Sequence, residues 1–506
     1  SNGIAVLVVD PIGQGERLQI IDREGKPLTR GATTEHTLLN AGFNLLGTSL
    51  AAQEYWDNHR ALDYLLTRKD IDPEHIGVYG SSGGGTQTAY YIGLDPRVKV
   101  AAICSFFSTR ERTMELQGPS DGCQHIPYEG REQLEVPDFA LMMAPRPLLI
   151  LSGKYDFVDL WGAQQGFAEL QQCYKVLGVP EKVDMLTVET GHGLGAEKRQ
   201  KLASWFKRWL KDNQSPVKKA AQDRFQLSDM LCTTKGQVNV SMPGALSIMQ
   251  ENVNQLDEWA SKRETFLSKG KKTVQTKMLD LLGLKGLPDH KIRIEATGHD
   301  SMREYEQYKF QLIREGEMPV PCILIMPSRA NADSPIELRL QEEGKGTYLS
   351  EYANFAAALT EGKILLLADL RGLGETTDPA FYTDAKYWNR EYRNAMISMH
   401  IGRPIMGQRV VDILTLLDFC SEHELLKGHP VKVFANGIYG PAVIHAAYLD
   451  ERINSVEITH SVKTWKEYIE KPMQWDMYSN VLYGALKYYD LPDLIRLSNR
   501  PIRFAD

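Results

Sequence analysis

Ile76-Gly77-Val78-Tyr79-Gly80-Ser81-Ser82-Gly83-Gly84-Gly85-Thr86-Gln87-Thr88 is the stretch that decides the reading of this chain. Its first four residues suit a short strand, and the residues from Gly85 to Tyr90 suit the start of a helix. Between them lies a G-x-S-x-G turn, Gly80 to Gly84. A sharp strand-to-helix turn lifts its central residue, here Ser82, to an exposed tip. Gly80 and Gly84 are expected to flank it because larger neighbours would crowd the turn. The backbone N–H of Gly83 then points to where an oxyanion would develop. Taken alone, the same glycines would serve packing in an ordinary strand–helix turn.

Two downstream stretches supply what a nucleophilic serine needs. Leu148-Leu149-Ile150-Leu151 reads as a buried strand and leads into Ser152-Gly153-Lys154-Tyr155-Asp156. The apolar run Val183–Val188 ends in Thr190-Gly191-His192-Gly193, a histidine between two small residues. Serine, acid and histidine, in that order and each at a strand end, is the arrangement of an α/β-hydrolase. Ser82 is expected to attack, His192 to take and return the proton, and Asp156 to hold the imidazole tautomer. Asp159, three residues further on, is the fallback acid.

Composition narrows the class. A chain of 506 residues suggests two to three domains. Hydrophobic residues at 42% and charged residues at 24% are ordinary for a globular protein. The net charge of -7 gives no reason to expect a nucleic-acid partner. No apolar run approaches the roughly 20 residues of a membrane-spanning helix. The six Cys are scattered without metal-ligand spacing, and Cys104, Cys322 and Cys420 read as buried thiols.

The chain carries its pattern twice. Gly3-Ile4-Ala5-Val6-Leu7-Val8-Val9-Asp10 precedes Pro11-Ile12-Gly13-Gln14-Gly15-Glu16, and Gly362-Lys363-Ile364-Leu365-Leu366-Leu367-Ala368-Asp369 precedes Leu370-Arg371-Gly372-Leu373-Gly374-Glu375, in register without a gap. Arg60 and Asp63 parallel Arg409 and Asp412, Val78-Tyr79-Gly80 parallels Val433-Phe434-Ala435, and Arg146-Pro147-Leu148 parallels Arg500-Pro501-Ile502. A repeat this long predicts two hydrolase-type domains. The fold class expected is therefore α/β, as tandem α/β-hydrolase domains with mostly parallel sheets flanked by helices. The expected bounds are 1–212 for the catalytic domain, 213–297 for a partly helical linker and 298–506 for a degenerate second domain. At the second elbow, Ala435-Asn436-Gly437-Ile438-Tyr439-Gly440, a glycine stands in the nucleophile's place. The second copy is expected to lack the acid and histidine of a triad, its counterpart of Ser152 lying near residue 506.

Copy two has three further strands expected before residue 362, over 305–314, 320–326 and 336–341. Copy one has only Ser1 and Asn2 before the same point, so its opening strands, which usually carry the second oxyanion donor, are expected to be missing here. Residues shared by both copies read as scaffold. Ser82, Asp156 and His192 are not shared, nor are Gln14 and Arg17, which makes the last two candidate substrate contacts. Arg17, beyond a central strand end, could meet a substrate hydroxyl or carboxylate or equally brace its own loop.

Between the copies, Trp205, Phe206, Trp209 and Leu210 share one face of a closing helix, and a polar linker follows over 211–222. Gln237-Val238-Asn239-Val240-Ser241-Met242 alternates like a strand. Met249, Val253, Leu256 and Ala260, then Val274, Met278 and Leu282, recur at helical spacing. The turn-rich insertion Gly118-Pro119-Ser120-Asp121-Gly122-Cys123-Gln124-His125 lies between elbow and acid. It offers Asp121, Gln124 and His125 as candidate sugar contacts, or a self-bracing loop.

The residues 10–17 (Asp-Pro-Ile-Gly-Gln-Gly-Glu-Arg), 80–88, Tyr155-Asp156-Phe157 and Gly191-His192-Gly193 resemble the two-domain acetyl xylan esterase-like α/β-hydrolases of polysaccharide-degrading bacteria. The resemblance covers most of the first domain and, more weakly, the second. It implies a serine carboxylesterase that removes ester substituents, typically acetyl, from plant cell-wall carbohydrate, in the periplasm or outside the cell, with no cofactor or metal. Fold does not fix substrate. A prolyl-oligopeptidase-type peptidase shares the elbow and the triad order. A third reading is a glycan- or partner-binding protein in which Tyr382, Trp388, Tyr392, Trp465 and Trp475 stack on sugars. Self-association is left open by the sequence.

Overall fold

The computed structural model describes residues 3–217, 225–379 and 387–505. It divides into two compact units, residues 1–40 with 49–248 and residues 41–48 with 249–506. The stretch expected to be a linker is thus shared, belonging to the first unit through Ile248 and to the second from Met249.

In the first unit four strands, β1 (Gly77–Ser81), β2 (Val100–Cys104), β3 (Leu148–Gly153) and β4 (Val183–Val188), form a sheet in the order β1-β2-β3-β4. All three pairings are parallel. The helices of this unit that matter here are α1 (Ala32–Leu45), whose last turn belongs to the second unit, α2 (Leu50–Thr67), α3 (Gly83–Ile92), α4 (Leu160–Val176) and α5 (Ala196–Lys211). Side chains alternate across the sheet. Ala101, Ile103, Leu148 and Ile150 join one core with Phe107, Leu170 and Tyr174. Val100, Ala102, Cys104, Leu149 and Leu151 join the other with Leu202, Trp205, Phe206 and Leu210 of α5. Both faces are covered, which is why β2 and β3 read as unbroken apolar runs. Each large side chain of α5 buried there contributes roughly 1.5–3 kcal/mol.

Two segments of strand-like composition are not strands. No strand among the described residues pairs with residues 3–10, whose Val6 and Val8 are 65% and 74% exposed. A strand needs a ladder partner, and the described sheet ends at β1. The alternating segment 237–242 instead forms a helical turn, Val238–Ser241. Its polar groups are taken by the 15–19 loop: Val238 N–H donates to Glu16 O at 2.8 Å, and Gln237 Nε2 donates to Gly15 O at 2.8 Å.

The second unit holds an eight-stranded sheet. Its strands are β5 (Arg293–Ser301), β6 (Tyr305–Ile313), β7 (Val320–Pro327), β8 (Ile336–Leu340), β9 (Ile364–Ala368), β10 (Val431–Asn436), β11 (Ile453–Thr459) and β12 (Ile502–Phe504). The order is β12-β11-β10-β8-β9-β7-β6-β5. β5, β6 and β7 form an antiparallel meander, β7 meets β9 antiparallel, and the remaining neighbours are parallel. The expected helices are α6 (Ile248–Leu267) and α7 (Lys271–Leu281), with Val274 and Met278 fully buried. β5 was not read from the sequence: Arg-Ile-Glu-Ala-Thr-Gly-His-Asp-Ser carries only Ile294 and Ala296 as apolar residues, and as an edge strand it is held by backbone pairing to β6.

The repeated turn is the same in both copies. Glu16 N–H donates to Asp10 Oδ2 at 2.9 Å, and Glu375 N–H donates to Asp369 Oδ2 at 2.9 Å. A Cβ on Gly15 would lie 2.3 Å from the Asp10 carboxyl, and one on Gly374 2.2 Å from that of Asp369. The shared Asp and Gly therefore close a turn. No helix among the described residues is long and apolar enough to cross a membrane.

Candidate active site

Ser82 stands between β1 and α3 with φ 59° and ψ -122°. A serine in this region is strained and is held there by its surroundings. Its N–H donates to Cys104 O at 3.0 Å, and its carbonyl accepts the Thr86 N–H at 3.0 Å. A Cβ on Gly80 would sit 2.0 Å from Gly84 O, and one on Gly85 2.7 Å from Cys104 O. Gly80 is thus required, as expected. Gly84 is not: a Cβ there meets nothing within 4 Å, and the crowded partner of Gly80 is the Gly84 backbone. Gly83 opens α3, where its N–H is one of those with no intrahelical acceptor.

The loops after β3 and β4 are tied together. Lys154 N–H donates to Val188 O at 2.8 Å and Tyr155 N–H to Thr190 O at 3.1 Å. This closeness brings His192 Nδ1 to 2.8 Å from Asp156 Oδ1. The Asp156 side chain is 1% exposed and that of His192 29%. Burial pushes the Asp156 carboxyl up, but the Val158 N–H, His192 and the Ser105 hydroxyl outweigh it, so the group lies below the usual carboxylate range. The Phe157 ring stacks on the imidazole at 4.2 Å between centroids. Ser82 Oγ makes no hydrogen bond among the described residues; such contacts are often long without substrate. Asp159 is committed elsewhere, accepting the Gly162 N–H at 2.7 Å as the cap of α4 and meeting Arg112 at 3.3 Å.

A buried pair behind this site was missed from sequence. Lys198 of α5 is fully buried, and its ammonium donates to Ser105 Oγ at 3.1 Å and to Gly193 O at 3.0 Å. Ser105, at φ 49° just beyond β2, also accepts the Gly193 N–H at 3.1 Å. The residue after His192 is thus gripped at both its N–H and its carbonyl. A lysine on the amphipathic α5 carries no local sign of this role.

Of the other candidates, Gln14 is half-buried in its turn. Arg17 pairs with Asp57 at 2.8 Å and donates to Asp10 O at 3.1 Å. Gln124 Nε2 donates to Asp121 Oδ1 at 2.6 Å, and His125 is buried.

At the second elbow, Gly437 has φ 61°, and a Cβ there would fall 1.7 Å from Glu342 Oε2. The same oxygen accepts the Ile438 N–H at 3.2 Å. A carboxylate from the loop after β8 therefore occupies the space where a side chain at residue 437 would stand. The adjoining cavity, about 380 Å³, is lined by Arg390, His460, Gln474 and Trp475 among others. Trp475 is exposed and stacks on Trp388 at 5.9 Å, whereas Trp465 and Tyr392 are buried and cannot meet a sugar. Tyr382 lies outside the described residues.

Residues 46–213 match the model of the prolyl oligopeptidase family. That span is a third of the chain and contains Ser82, Asp156 and His192. YtaP of Bacillus subtilis (strain 168), named as a hydrolase, is 26% identical over 212 residues, covering 42% of this chain and 66% of that protein. The chain thus spans just under two thirds of this relative. Similar solved structures are mostly carbohydrate esterases. They include Acetyl Xylan Esterase 1 from Thermoanaerobacterium sp. JW/SL YS485, at 15% identity over 46% of this chain and 77% of that one, TM-score 0.30. An acetyl xylan esterase from Paenibacillus sp. R4 is 12% identical over 50% of this chain and 92% of that one, TM-score 0.29. A glucuronoyl esterase from Solibacter usitatus is 20% identical over 32% of this chain and 49% of that one, TM-score 0.27.

Proposed function

We propose that the first unit is a serine carboxylesterase acting on ester-substituted carbohydrate, most simply its acetyl esters. The observation that carries the reading is the 2.8 Å pair of His192 and Asp156, with Ser82 raised on a strained elbow. Asp156 holds Nδ1, which leaves Nε2 to take the Ser82 proton. The serine oxygen adds to the ester carbonyl, and the Gly83 N–H supports the oxyanion. The alcohol leaves with the proton from His192. Water, deprotonated by the same imidazole, then releases the acid and restores Ser82. The ester preference rests on the resemblance of residues 10–17, 80–88, 155–157 and 191–193. Three exposed aromatics beside Asp156, namely Tyr155, Phe157 and Trp161, offer flat faces suited to sugar rings.

The match of residues 46–213 favours one rival, an amide-cleaving peptidase. Fluorophosphonate labelling with peptide mapping tests for the activated serine. Parallel assays on an acetylated xylo-oligosaccharide and on a dipeptide amide reporter then separate the readings. Ester turnover with negligible amide turnover supports the esterase; the reverse replaces it with the peptidase.

We read the second unit as a non-catalytic copy of the same fold, supported by the in-register repeat and by Glu342 at Gly437. Gly437→Ser alone is then expected to acquire no fluorophosphonate adduct, because its side chain would collide with the carboxylate. Adduct formation at residue 437 would refute this. In the first unit, Lys198→Met is expected to lower kcat by about 10–100-fold through misplacement of His192, with KM little changed and partial recovery in Lys198→Arg. Steady-state kinetics on the three proteins would check this.

A further inference from the structure

We propose that His36, Asp121 and Cys123 form a binding site for a divalent transition-metal cation of the zinc class. The residues come from α1 and from the 118–125 insertion, and all three are at least 95% buried. Cys123 Sγ lies 3.3 Å from Asp121 Oδ2, and His36 Nδ1 lies 3.5 Å from the same oxygen. The three ligand atoms lie within 4.8 Å of one another. Ligands at about 2.0–2.3 Å around a tetrahedral zinc are separated by about 3.3–3.5 Å. Nitrogen, carboxylate oxygen and thiolate sulfur together suit zinc better than a hard cation.

The histidine supplies an independent sign. Its Nε2 lies 2.8 Å from Ile12 O, a group that can only accept, so Nε2 carries a proton. In the neutral ring Nδ1 is then a bare lone pair that makes no hydrogen bond of ordinary geometry, its nearest polar neighbour being Asp121 Oδ2 at 3.5 Å. It faces a carboxylate, which a cation between them would reconcile. An N–H to a carbonyl on the far side of the ring is also how metal-bound histidines are usually oriented. Asp121 is braced in the same way, its other oxygen accepting from Gln124 at 2.6 Å.

Glu54 of α2, buried with Oε1 lacking a hydrogen bond, lies close enough to act electrostatically on both His36 and Asp121; burial pushes its carboxyl up to about 8, so at neutral pH it adds little negative charge. The nearby Arg17 is already paired with Asp57 at 2.8 Å. Buried charges are ordinarily paired or bound to metal. The insertion is also pressed onto α1: Gly122 N–H donates to Thr37 Oγ1 at 3.1 Å, and a Cβ on Gly122 would lie 2.8 Å from His36 O. A metal here would clamp the insertion to the helix. On binding, the Cys123 thiol proton passes to solvent and the fourth position is left to water.

The test uses the full chain, stripped with a chelator and reloaded with Zn(II) or Co(II). Expected are about one equivalent of zinc retained through gel filtration, a higher Tm than the stripped protein, and a thiolate-to-cobalt charge-transfer band. Cys123→Ser should lose that band and bind at least about ten-fold more weakly, and His36→Gln should lose retention. A folded wild-type protein that retains less than about a tenth of an equivalent and lacks the band would overturn the proposal in favour of a proton-bridged cluster. A band that persists in Cys123→Ser would likewise overturn it, by placing the thiolate elsewhere. If the variants fail to fold, the wild-type cobalt spectrum and metal content decide alone.

Discussion

Ser82→Ala is expected to lose about 10^4-fold or more in kcat/KM on an acetylated oligosaccharide and to take up no fluorophosphonate. The change removes one oxygen and keeps the Cβ, so it adds nothing to the strain already present at φ 59°. Tm should therefore stay close to wild type, which separates a lost nucleophile from a damaged fold. Residual turnover over water should remain, because the Gly83 N–H and the binding surface are untouched. An adduct that survives at another serine, or activity within ten-fold of wild type, would remove Ser82 from the chemistry. Seryl competitors are few by position, since Ser81 lies within β1 and Ser105 is buried and occupied by Lys198 and Gly193.

Asp156→Asn should cost about as much, roughly 10^4-fold in kcat, with little change in shape. The wild-type carboxylate accepts from His192 Nδ1 and from the Val158 N–H, both on Oδ1. An amide oxygen in that place can still accept both N–H groups, but the neutral amide no longer stabilises the imidazolium that forms when His192 takes the Ser82 proton. Because Asp156 lies below the ordinary carboxylate range, it stays ionised through the weakly acid region. Its share of stability is complete above about pH 4, the unfolded value, and is lost only as pH falls through the lower native value. The Asn variant should lack that acid dependence in a Tm-against-pH series. Asp159→Ala is the contrasting case: it removes the cap on α4, costing about 0.5–2 kcal/mol, and should leave kcat near wild type. If the two variants exchanged effects, the orienting acid would be Asp159.

Much of the first unit was legible because its constraints are local. β3 is a buried run bounded by turns, and Val183–Val188, only partly buried, is a strand with the expected bounds. Loops that follow such strands in parallel order emerge at one edge of the sheet, so Asp156 and His192 could be paired from order alone. The repeated Asp and Gly turn was legible for a similar reason, since carboxylate and glycine are six or fewer residues apart in both copies. What failed were inferences about segments whose partner is distant. Residues 3–10 and 237–242 have strand-like composition, yet strand formation depends on a neighbouring ladder. β5 has only a short, weak alternation at Ile294 and Ala296 and is a strand because β6 lies beside it.

By itself, then, the sequence pointed to a strand–turn–helix at Ser82, to the strands Leu148–Leu151 and Val183–Val188 with an acid and a histidine in the loops after them, and to the recurrence of one pattern along the chain. Each follows from contacts between residues near in the chain or from an apolar period. Only the tertiary structure decided that Lys198 and Ser105 brace the histidine loop, that Glu342 packs against Gly437, and that His36 meets Asp121 and Cys123. These are side chains separated by tens of residues, brought together by packing. Their chemistry arises from burial and proximity, which no local spacing records.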